Sequence, residues 1–327
     1  MRDQDKTIDS FDIGIVGGGM VGAVLALLLE KELPAFHIAI IDAEPLEPES
    51  LAPSLPSFDA RSTALSPSSA RVLQKLGLWS QLLDYATPIE SIHVSDRGRL
   101  GMATFDRDDN SGQPLGFVVE NLGFGNVLLE ALARAKRVTC FSKSTVESLA
   151  FSSRAAQFCL DNARRVDARL AVIADGAHSR LRNQLGISCA RHDYQQHAVV
   201  ANIFSEKAHG GRAYERFTQD GPLALLPLGR NANSHQSAIV WTFPTGQLEQ
   251  LKLWQEQEFL HKLQQCFGFR LGRFTRVTAR NFYPLERIVA REQIRSRMVL
   301  MGNAAHFLHP VAGQGFNLAL RDALRLV

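Results

Sequence analysis

The sequence predicts an α/β protein in which a parallel sheet with flanking helices is joined to a second, mostly antiparallel β layer. Two observations support this class. Between residues 11 and 44, an apolar strand, a glycine cluster, an apolar helix and another apolar strand follow one another, which indicates a βαβ unit. Between about Ser188 and Tyr283, strand-like runs separated by polar turns replace that pattern.

The composition is that of an ordinary globular chain and excludes several classes of function. With 327 residues the chain is long enough for two domains. A net charge of +3 is too small to indicate nucleic-acid binding. The four cysteines form no CxxC pair, so neither a zinc site nor a disulfide framework is predicted, and a reducing, cytoplasmic setting fits best. The apolar segment from Ile13 to Leu29 is too short to span a bilayer and is interpreted as folded structure.

Each predicted element has a local reason. The helix from Val21 to Leu29 is so apolar that it must be buried, and Pro34 ends it. The stretch "SPSSARVLQKLG" is typical of a helix with serine caps and with Gly77 at its C-terminal end. Further helices are predicted for "NLGFGNVLLEALARAK", for "SRLRNQLG" and from Leu248 to Phe267. The strand "RMVLMGN" has the same apolar pattern as the buried N-terminal strands, so the first domain is predicted to be discontinuous.

The first candidate site is the turn between the first strand and the first helix. Gly17, Gly19 and Gly22 have GxGxxG spacing there, and Asp42 closes the second strand. Glycines permit a tight turn and a close approach to a pyrophosphate, the helix N-terminus attracts phosphate charge, and the acid can bind a ribose. A glycine-rich turn alone would be weak evidence. With strand, helix and acid in register, the unit predicts a Rossmann-like dinucleotide site.

A second candidate is "RLAVIADGAHSRLRNQLG", in which a buried strand ends at Asp175-Gly176. Ligands of open α/β sheets gather at the carboxyl ends of strands, so this acid and glycine can face a cofactor. The alternative is a capped helix after a strand, in which Asp175 only accepts hydrogen bonds from the backbone.

The third candidate lies near the end of the sequence. A strand ends at Gly302-Asn303, and Gly313-Gln314-Gly315-Phe316-Asn317 begins a helix. His306 and His309 lie between them, but no carboxylate or cysteine is close enough in sequence to complete a metal site, so packing or loop ordering is the favoured reading. NAD needs only the first of the three turns. A longer cofactor that contacts all three points to FAD.

These motifs resemble the three fingerprints of the single-component flavoprotein aromatic hydroxylases, which share the fold of para-hydroxybenzoate hydroxylase. Within that family, "FDARSTALSPSSARVLQKLGLW", "DYQQHAVVANI" and "DGPLALLPL" are similar to the ubiquinone-biosynthesis hydroxylases, most closely the 2-polyprenyl-6-methoxyphenol hydroxylase type. The resemblance covers essentially the whole chain. It departs at Asn303, where the family usually has aspartate, and a C-terminal segment of the family is expected to be absent after Val327.

The resemblance implies a set of residues that hold FAD. The ADP half would be held by the first fingerprint, namely Gly17, Gly19, Met20, Val21, Gly22 and Asp42. The middle of FAD would be held by Asp175, Gly176, Gly302 and Asn303. The flavin ring would lie against Gly313, Gly315, Phe316 and Asn317. Unpaired N–H groups at that helix start would supply positive potential to the ring.

Three more side chains receive roles through the resemblance. Arg61 would reach FAD from the loop after the second strand, although a lone arginine could equally form a surface ion pair. His309 and Pro310 would line the ring and the substrate side. The cofactor performs the difficult chemistry in such enzymes, so the absence of a triad or metal set is expected.

The implied reaction is hydroxylation of a prenylated phenol in ubiquinone biosynthesis, with NAD(P)H and O2, through a flavin hydroperoxide. The FAD-binding domain is expected to comprise residues 1–86, 114–187 and 284–327, and the substrate domain residues 87–113 and 188–283. Two alternatives stay open: another flavin oxidase or halogenase chemistry, and a non-catalytic flavoprotein scaffold of a biosynthetic assembly. A cytoplasmic protein is expected, with peripheral association at the inner membrane or with a ubiquinone-biosynthesis complex because a polyprenyl substrate dissolves in lipid.

Overall fold

The structure is a computed structural model that describes residues 8–48, 58–59, 61–309 and 313–327. Its strands, in chain order, are β1 (Asp9–Val16), β2 (Ile38–Ile41), β3 (Ser62–Leu65), β4 (Ala86–Ile89), β5 (Ser91–Asp96), β6 (Met102–Asp106), β7 (Gly116–Glu120), β8 (Val138–Phe141), β9 (Val146–Phe151), β10 (Ala156–Leu160), β11 (Arg165–Ile173), β12 (Cys189–Ser205), β13 (Arg212–Phe217), β14 (Pro222–Leu228), β15 (Gln236–Pro244), β16 (Phe274–Val277), β17 (Asn281–Ala290), β18 (Ile294–Arg295), β19 (Met298–Leu300) and β20 (His306–Phe307).

The helices pack on these strands. They are α1 (Met20–Glu32), α2 (Pro67–Lys75), α3 (Trp79–Leu82), α4 (Asn121–Arg134), α5 (Arg180–Gln184), α6 (Leu248–Leu253), α7 (Glu256–Phe267) and α8 (Gln314–Leu326). The predicted βαβ unit is confirmed: α1 connects β1 to β2, which pair in parallel. The helix is buried from Gly22 to Leu29 and ends one residue before Leu33, close to the proline that cannot continue it.

The first sheet contains the N-terminal unit at its centre. Its strand order is β18-β19-β11-β1-β2-β8, and the pairs from β19 to β8 are all parallel. The antiparallel strands β10 and β9 extend from β11. Helices α1, α4 and α8 cover one face, where a large apolar core forms around the side chains of α1. Because the central strands are parallel, their carboxyl ends meet at one edge of the sheet.

The second sheet is mostly antiparallel and follows the order β20-β17-β12-β15-β14-β13-β5-β6. Helix α7 packs on one face around Trp241, Phe259 and Phe267. This arrangement confirms the predicted fold class. The expected domain boundaries at 113/114 and 187/188 fall between strands of different sheets, whereas those at 86/87 and 283/284 fall within β4 and β17.

A small third sheet, β3-β7-β4, lies between the two large layers. Its Ile89 and Val118 pack against Ala213, Leu228 and Ala238 of the second sheet. On the other side, β3 contacts α8, which belongs to the core of the first sheet. The third sheet therefore connects the two larger sheets and sets the spacing between them.

The single helix expected from Leu248 to Phe267 is wrong. The backbone at Trp254 is extended, with φ −58° and ψ 129°, so α6 ends before it and α7 begins at Glu256. The indole of Trp254 lies against Trp241, Phe243 and Phe259, with ring centroids 6.0–6.4 Å apart. Aromatic burial therefore overrides the helical periodicity at this residue. Among the described residues, no helix has the length and apolar character needed to cross a membrane.

Candidate cofactor-binding site

A cavity of about 430 Å³ opens at the carboxyl-terminal edge of the first sheet. Its walls come from the ends of β1, β2 and β11, from the start of α1 and from the start of α8. Predicted site residues that line it are Gly17, Gly19, Met20, Val21, Asp42, Asp175, Gly176, Asn303, Gly315 and Phe316. Segments far apart in sequence thus converge on one cavity, at the position where open α/β sheets bind ligands.

The glycines of the first turn are required by close packing of the backbone. Gly17 has φ +105°, and a Cβ there would overlap the carbonyl oxygen of Ala174, which directly follows β11. A Cβ on Gly22 would overlap the carbonyl oxygen of Gly17, so the helix can approach the turn only with glycine at 22. Gly22 does not line the cavity itself. Gly19 caps α1 without a side-chain acceptor, which leaves the first N–H groups of the helix pointing toward the cavity edge.

Asp42 organises the turn at the end of β2. Its carboxylate accepts hydrogen bonds from the backbone N–H of Gly18 and from that of Glu44, the latter at 2.8 Å. The residue also lines the cavity. Each carboxylate oxygen has two acceptor positions, so Asp42 retains capacity for a ribose hydroxyl while it holds the glycine loop.

Asp175 has a buried oxygen with no hydrogen bond. Its Oδ1 atom is inaccessible to solvent and has no partner among the described residues, although the residue lines the cavity. Burial raises the pKa of Asp175, while a hydrogen bond to Ser179 and the charge of Arg182 act in the opposite direction. An unpaired buried acceptor is costly, so this oxygen fits a ligand that brings its own donor.

Arg182 is a site residue whose role the sequence did not reveal. Its side chain is fully buried, at 0% exposure. Nη1 donates to the carbonyl oxygen of Ala304 and Nη2 to that of Ala177, both at 2.9 Å. The guanidinium therefore joins the Asp175 turn to the Asn303 turn. The motif position was visible in the sequence, but no local signal identified its two acceptors.

The third fingerprint places Asn303 in the cavity wall with its side chain exposed. No hydrogen bond of its amide is present among the described residues, so the amide is available to a ligand. Gly302 does not line the cavity. It has φ +60°, and a Cβ there would lie 3.2 Å from the methyl groups of Val21. Glycine at 302 thus permits the strand-to-turn change beside α1.

At the start of α8, two residues line the cavity, whereas the side chain of a third makes hydrogen bonds within the protein. Gly315 and Phe316 line the cavity. Asn317 is buried, and its side-chain amide makes four hydrogen bonds, accepting from Ser66 N–H and Ser69 Oγ and donating to the carbonyl oxygens of Ala64 and Gly313. Its side chain therefore fastens α8 to the segment after β3. Gly313 has φ +58° beside Ala64.

Like Gly22, Gly302, Gly313 and Asn317, the predicted residues Arg61 and His309 are absent from the cavity lining. Arg61 forms an ion pair of 2.6 Å with Asp59, and its guanidinium lies 4.8 Å from the ring centroid of Tyr283. The ring of His309 meets that of Tyr194 edge-on at 5.0 Å, and burial lowers the pKa of His309. Pro310 is outside the described residues. The roles given to these side chains stay predictions.

The other histidine of this segment has a structural partner. His306 Nε2 lies 2.8 Å from Asp322 Oδ2 on α8. Within the described ranges, no cluster of three or more His, Cys, Asp or Glu side chains could hold a metal ion. Sequence analysis also missed the walls that Leu46, Phe58, Thr145 and Val146 contribute. The pairing of β8 with β2 brings residues 144–146 to this edge, and no residue motif marks them.

The fold and site define a flavin-binding α/β protein, and the comparison with known families agrees. A family model described as "FAD binding domain" matches residues 10–327, and the chain belongs to this family. The predicted resemblance is thereby confirmed.

Two relatives with assigned activities are similar over nearly the whole chain. The chain is 34% identical to Ubiquinone hydroxylase UbiL of Rhodospirillum rubrum over 311 residues, covering 95% of this chain and 70% of that protein. It is 31% identical to the 3-demethoxyubiquinol 3-hydroxylase of Escherichia coli, covering 97% of this chain and 78% of that protein. The relatives confirm the predicted class of FAD-dependent monooxygenase.

Solved structures support the fold. PqsL of Pseudomonas aeruginosa, a probable FAD-dependent monooxygenase, superposes with a TM-score of 0.79 at 21% identity, covering 97% of this chain and 85% of that one. The p-nitrophenol 4-monooxygenase PnpA of Pseudomonas putida gives 0.76 at 20% identity, covering 98% and 79%. At these identities the likeness concerns the fold alone.

The residues present fit FAD. The glycine turn packs too closely against the backbone at Ala174 for a Cβ at position 17, and it brings the start of α1 to the cavity, where helix N–H groups favour a phosphate. The unpaired Asp175 oxygen and the free Asn303 amide lie in the same cavity wall further along. A dinucleotide with a polyhydroxyl linker offers hydrogen-bond donors and acceptors along its length. The start of α1, the Asp175 oxygen and the Asn303 amide can pair with them.

Proposed function

We propose that this protein hydroxylates a prenylated phenol in ubiquinone biosynthesis, using FAD as cofactor, NAD(P)H as reductant and O2 as the oxygen source. The similarity to ubiquinone hydroxylases over 95% or more of the chain carries the proposal. It is supported by the cavity, in which three separated turns supply groups suited to one extended cofactor.

In this proposal the first sheet holds FAD. Gly17, Gly19 and the start of α1 would bind the pyrophosphate, and Asp42 the adenosine ribose. Asp175 and Asn303 would bind hydroxyl groups of the linker. The backbone at Gly315 and Phe316 would lie beside the flavin ring, where N–H groups of a helix start favour negative charge.

Bound FAD would supply the redox chemistry that transfers one oxygen atom of O2 to the ring. The protein would orient the phenol and keep water away from the reacting atoms. The second sheet is suited to this task because one of its faces packs on the third sheet, whose strand β3 contacts α8. We assign residues 87–113 and 188–283 to the substrate side on this basis, and the second range includes the part of β17 before residue 284.

The location in the cell is part of the same proposal. A polyprenyl chain partitions into lipid, so we place the working enzyme at the cytoplasmic face of the inner membrane or in a ubiquinone-biosynthesis complex. His309, half-buried beside Tyr194, would line the substrate side with its ring in the neutral form that its lowered pKa favours.

The test is product formation by the reconstituted protein. Purified protein is loaded with FAD and supplied with NADH or NADPH, ¹⁸O2 and 2-prenylphenol, and the products are analysed by mass spectrometry. A phenol product carrying one ¹⁸O atom supports the proposal. Formation of hydrogen peroxide alone, with each of a series of prenylated phenols, overturns it in favour of a scaffold or an oxidase. In cells lacking the protein, accumulation of an under-hydroxylated quinone precursor is the expected companion result.

A further inference from the structure

The second sheet has two faces of different character. Tyr214, Leu225, Ile239 and Val199 point toward α7 and are buried in its aromatic core. Side chains alternate along a strand, so the residues next to them in sequence point to the opposite face. That opposite face packs on the third sheet at one end, through Ala213 and Ala238.

A row of half-buried side chains crosses this opposite face. Paired positions on adjacent strands place these residues side by side, in the order Val94, Glu215, Ala224, Val240 and Val200. All five are only partly exposed. Four are apolar, so one carboxyl group lies in an otherwise apolar strip.

Another residue of this face connects it to the cofactor cavity. Tyr283 belongs to the same face, since it pairs with Ala198, and its ring lies against Arg61 just before β3. The carbonyl oxygen of Ala64 on β3 accepts a hydrogen bond of 2.8 Å from Asn317 on α8. The preceding residues of α8, Gly315 and Phe316, line the cavity. Contacts through Arg61, β3 and α8 thus lead from Tyr283, on the face of the strip, to one wall of the cavity.

The carboxyl group of Glu215 lacks a polar partner within the part of the chain that the structure describes. No hydrogen bond and no ion pair of its carboxyl group is present among the described residues, whereas the neighbouring Arg216 donates to Ser95 Oγ and to the carbonyl oxygen of Cys266. Burial raises the pKa of Glu215. A desolvated carboxyl group without a partner costs folding free energy, so a ligand that donates a hydrogen bond would relieve this cost.

We propose that the carboxyl group of Glu215 binds the phenolic hydroxyl of the substrate and that the apolar strip around it holds the aromatic ring. This inference rests on the proposed hydroxylase function and names the residue that recognises the phenol. The recognised group is a free ring hydroxyl beside an apolar substituent.

The chemistry of the pair suits hydroxylation. A carboxylate that accepts the phenolic hydrogen bond increases the electron density of the ring, and an electron-rich ring is the better oxygen acceptor. The raised pKa brings the proton affinity of Glu215 closer to that of a phenol, which strengthens the hydrogen bond between them. The apolar side chains of Val94 and Ala224, on either side of Glu215, help to exclude water from the bond.

The test compares 2-prenylphenol with its methyl ether, which cannot donate a hydrogen bond. Dissociation constants of both are measured by equilibrium dialysis with FAD-loaded protein, in the absence of NAD(P)H. The parent protein should prefer the phenol by roughly ten-fold to a hundred-fold, the range expected for a hydrogen bond to a charged group. Glu215→Leu should abolish this preference, and Glu215→Gln should reduce it, since an amide oxygen still accepts a weaker bond.

Glu258→Gln is the matched control, because it removes the same charge from an exposed site in the first turn of α7. It should keep the parent preference. The inference is overturned if Glu215→Gln prefers the phenol over the methyl ether as strongly as the parent does. This holds both when Glu215→Leu folds and shows the same preference and when Glu215→Leu does not fold. Its failure is distinct from failure of the proposed function: a Glu215-dependent phenol preference without ¹⁸O product would leave the binding site established and the hydroxylase proposal rejected.

Discussion

Arg182 Nη1 and the carbonyl oxygen of Ala304 are 2.9 Å apart, although the two residues belong to different strand-to-helix turns. The other terminal nitrogen of the same guanidinium donates to Ala177. One buried cation thus sets the distance between Asp175 and Asn303, the two groups proposed to bind the middle of FAD. The planar fork of arginine can serve two carbonyl groups at once, which an ammonium group at this position could not do with the same geometry.

Replacing this arginine should loosen both turns. Arg182→Lys leaves one buried carbonyl oxygen unpaired, so we expect a loss of about 1–3 kcal/mol in the free energy of unfolding, together with weaker FAD binding. Urea denaturation and FAD titration measure the two effects. Arg165→Lys, at an exposed position on β11, is the control and should change neither. Parent-like stability and affinity of the Arg182 variant would show that the bridge between the turns is dispensable.

Asp175 should destabilise the protein without FAD in a pH-dependent manner. Its pKa is raised in the folded state, so the folded protein holds the proton more tightly than the unfolded chain. The cost of the carboxylate therefore appears as the pH rises above about 3.9, the unfolded value, and reaches its full size above the raised folded pKa.

Asp175→Asn removes that cost. Without FAD, the variant should be more stable than the parent at pH 7.5, and the difference should shrink toward zero as the pH falls to 4. Thermal unfolding across this pH range measures the effect. A difference that is constant with pH, or that favours the parent at pH 7.5, would contradict the assignment of burial as the dominant influence on this carboxyl group.

Asn303 offers a test at the position where the motif departs from its family. An amide oxygen accepts a hydrogen bond as a carboxylate does, so Asn303→Asp should change FAD affinity little. Asn303→Leu leaves a ligand hydroxyl unpaired, which costs about 1–3 kcal/mol and weakens affinity roughly five-fold to over a hundred-fold. Titration of the FAD-free protein decides, and equal affinity of the Leu variant and parent would remove residue 303 from the site.

The glycine loop allows a contrast between two neighbouring positions. A Cβ on Gly22 would overlap a backbone oxygen, which can move only with the loop, whereas a Cβ on Gly18 would meet the flexible end of the Leu46 side chain. Gly22→Ala should therefore cost about 1–3 kcal/mol in the free energy of unfolding, and Gly18→Ala clearly less. Urea denaturation of both variants without FAD compares them. A larger loss for Gly18→Ala would show that Leu46 is more firmly fixed than its position indicates.

The parts of the fold that were predictable depend on local sequence. The βαβ unit follows from an apolar strand, glycines and an apolar helix in direct succession, and the structure places its turn at the cavity edge. Periodicity also predicted α4 and the helical character on both sides of Trp254. It could not predict the break at Trp254, because the indole is held by Trp241 and Phe243 from β15.

The same limit applies to the candidate site. GxGxxG and the two later fingerprints are short patterns, so their cavity-lining glycines and acids could be named in advance. The acceptors of Arg182 and the partners of Asn317 could not, since they lie far away in sequence. Asn317 was expected beside the flavin ring, yet its side-chain amide makes hydrogen bonds with residues 64–69. Only the backbone at the start of α8 is left for the proposed contact with the ring.

Those contacts of Asn317 bear on how the chain is made. Its side chain is bonded to Ser66 and Ala64, about 250 residues earlier, and the neighbouring Gly315 and Phe316 form one wall of the cavity. During synthesis the N-terminal unit leaves the ribosome first, with the apolar surface of α1 that α8 later covers still open. The cofactor site can close only after Gly315 and Phe316 have been synthesised. Until α8 has been made, the growing chain must therefore be protected from aggregation, and the cofactor can be enclosed only after that point.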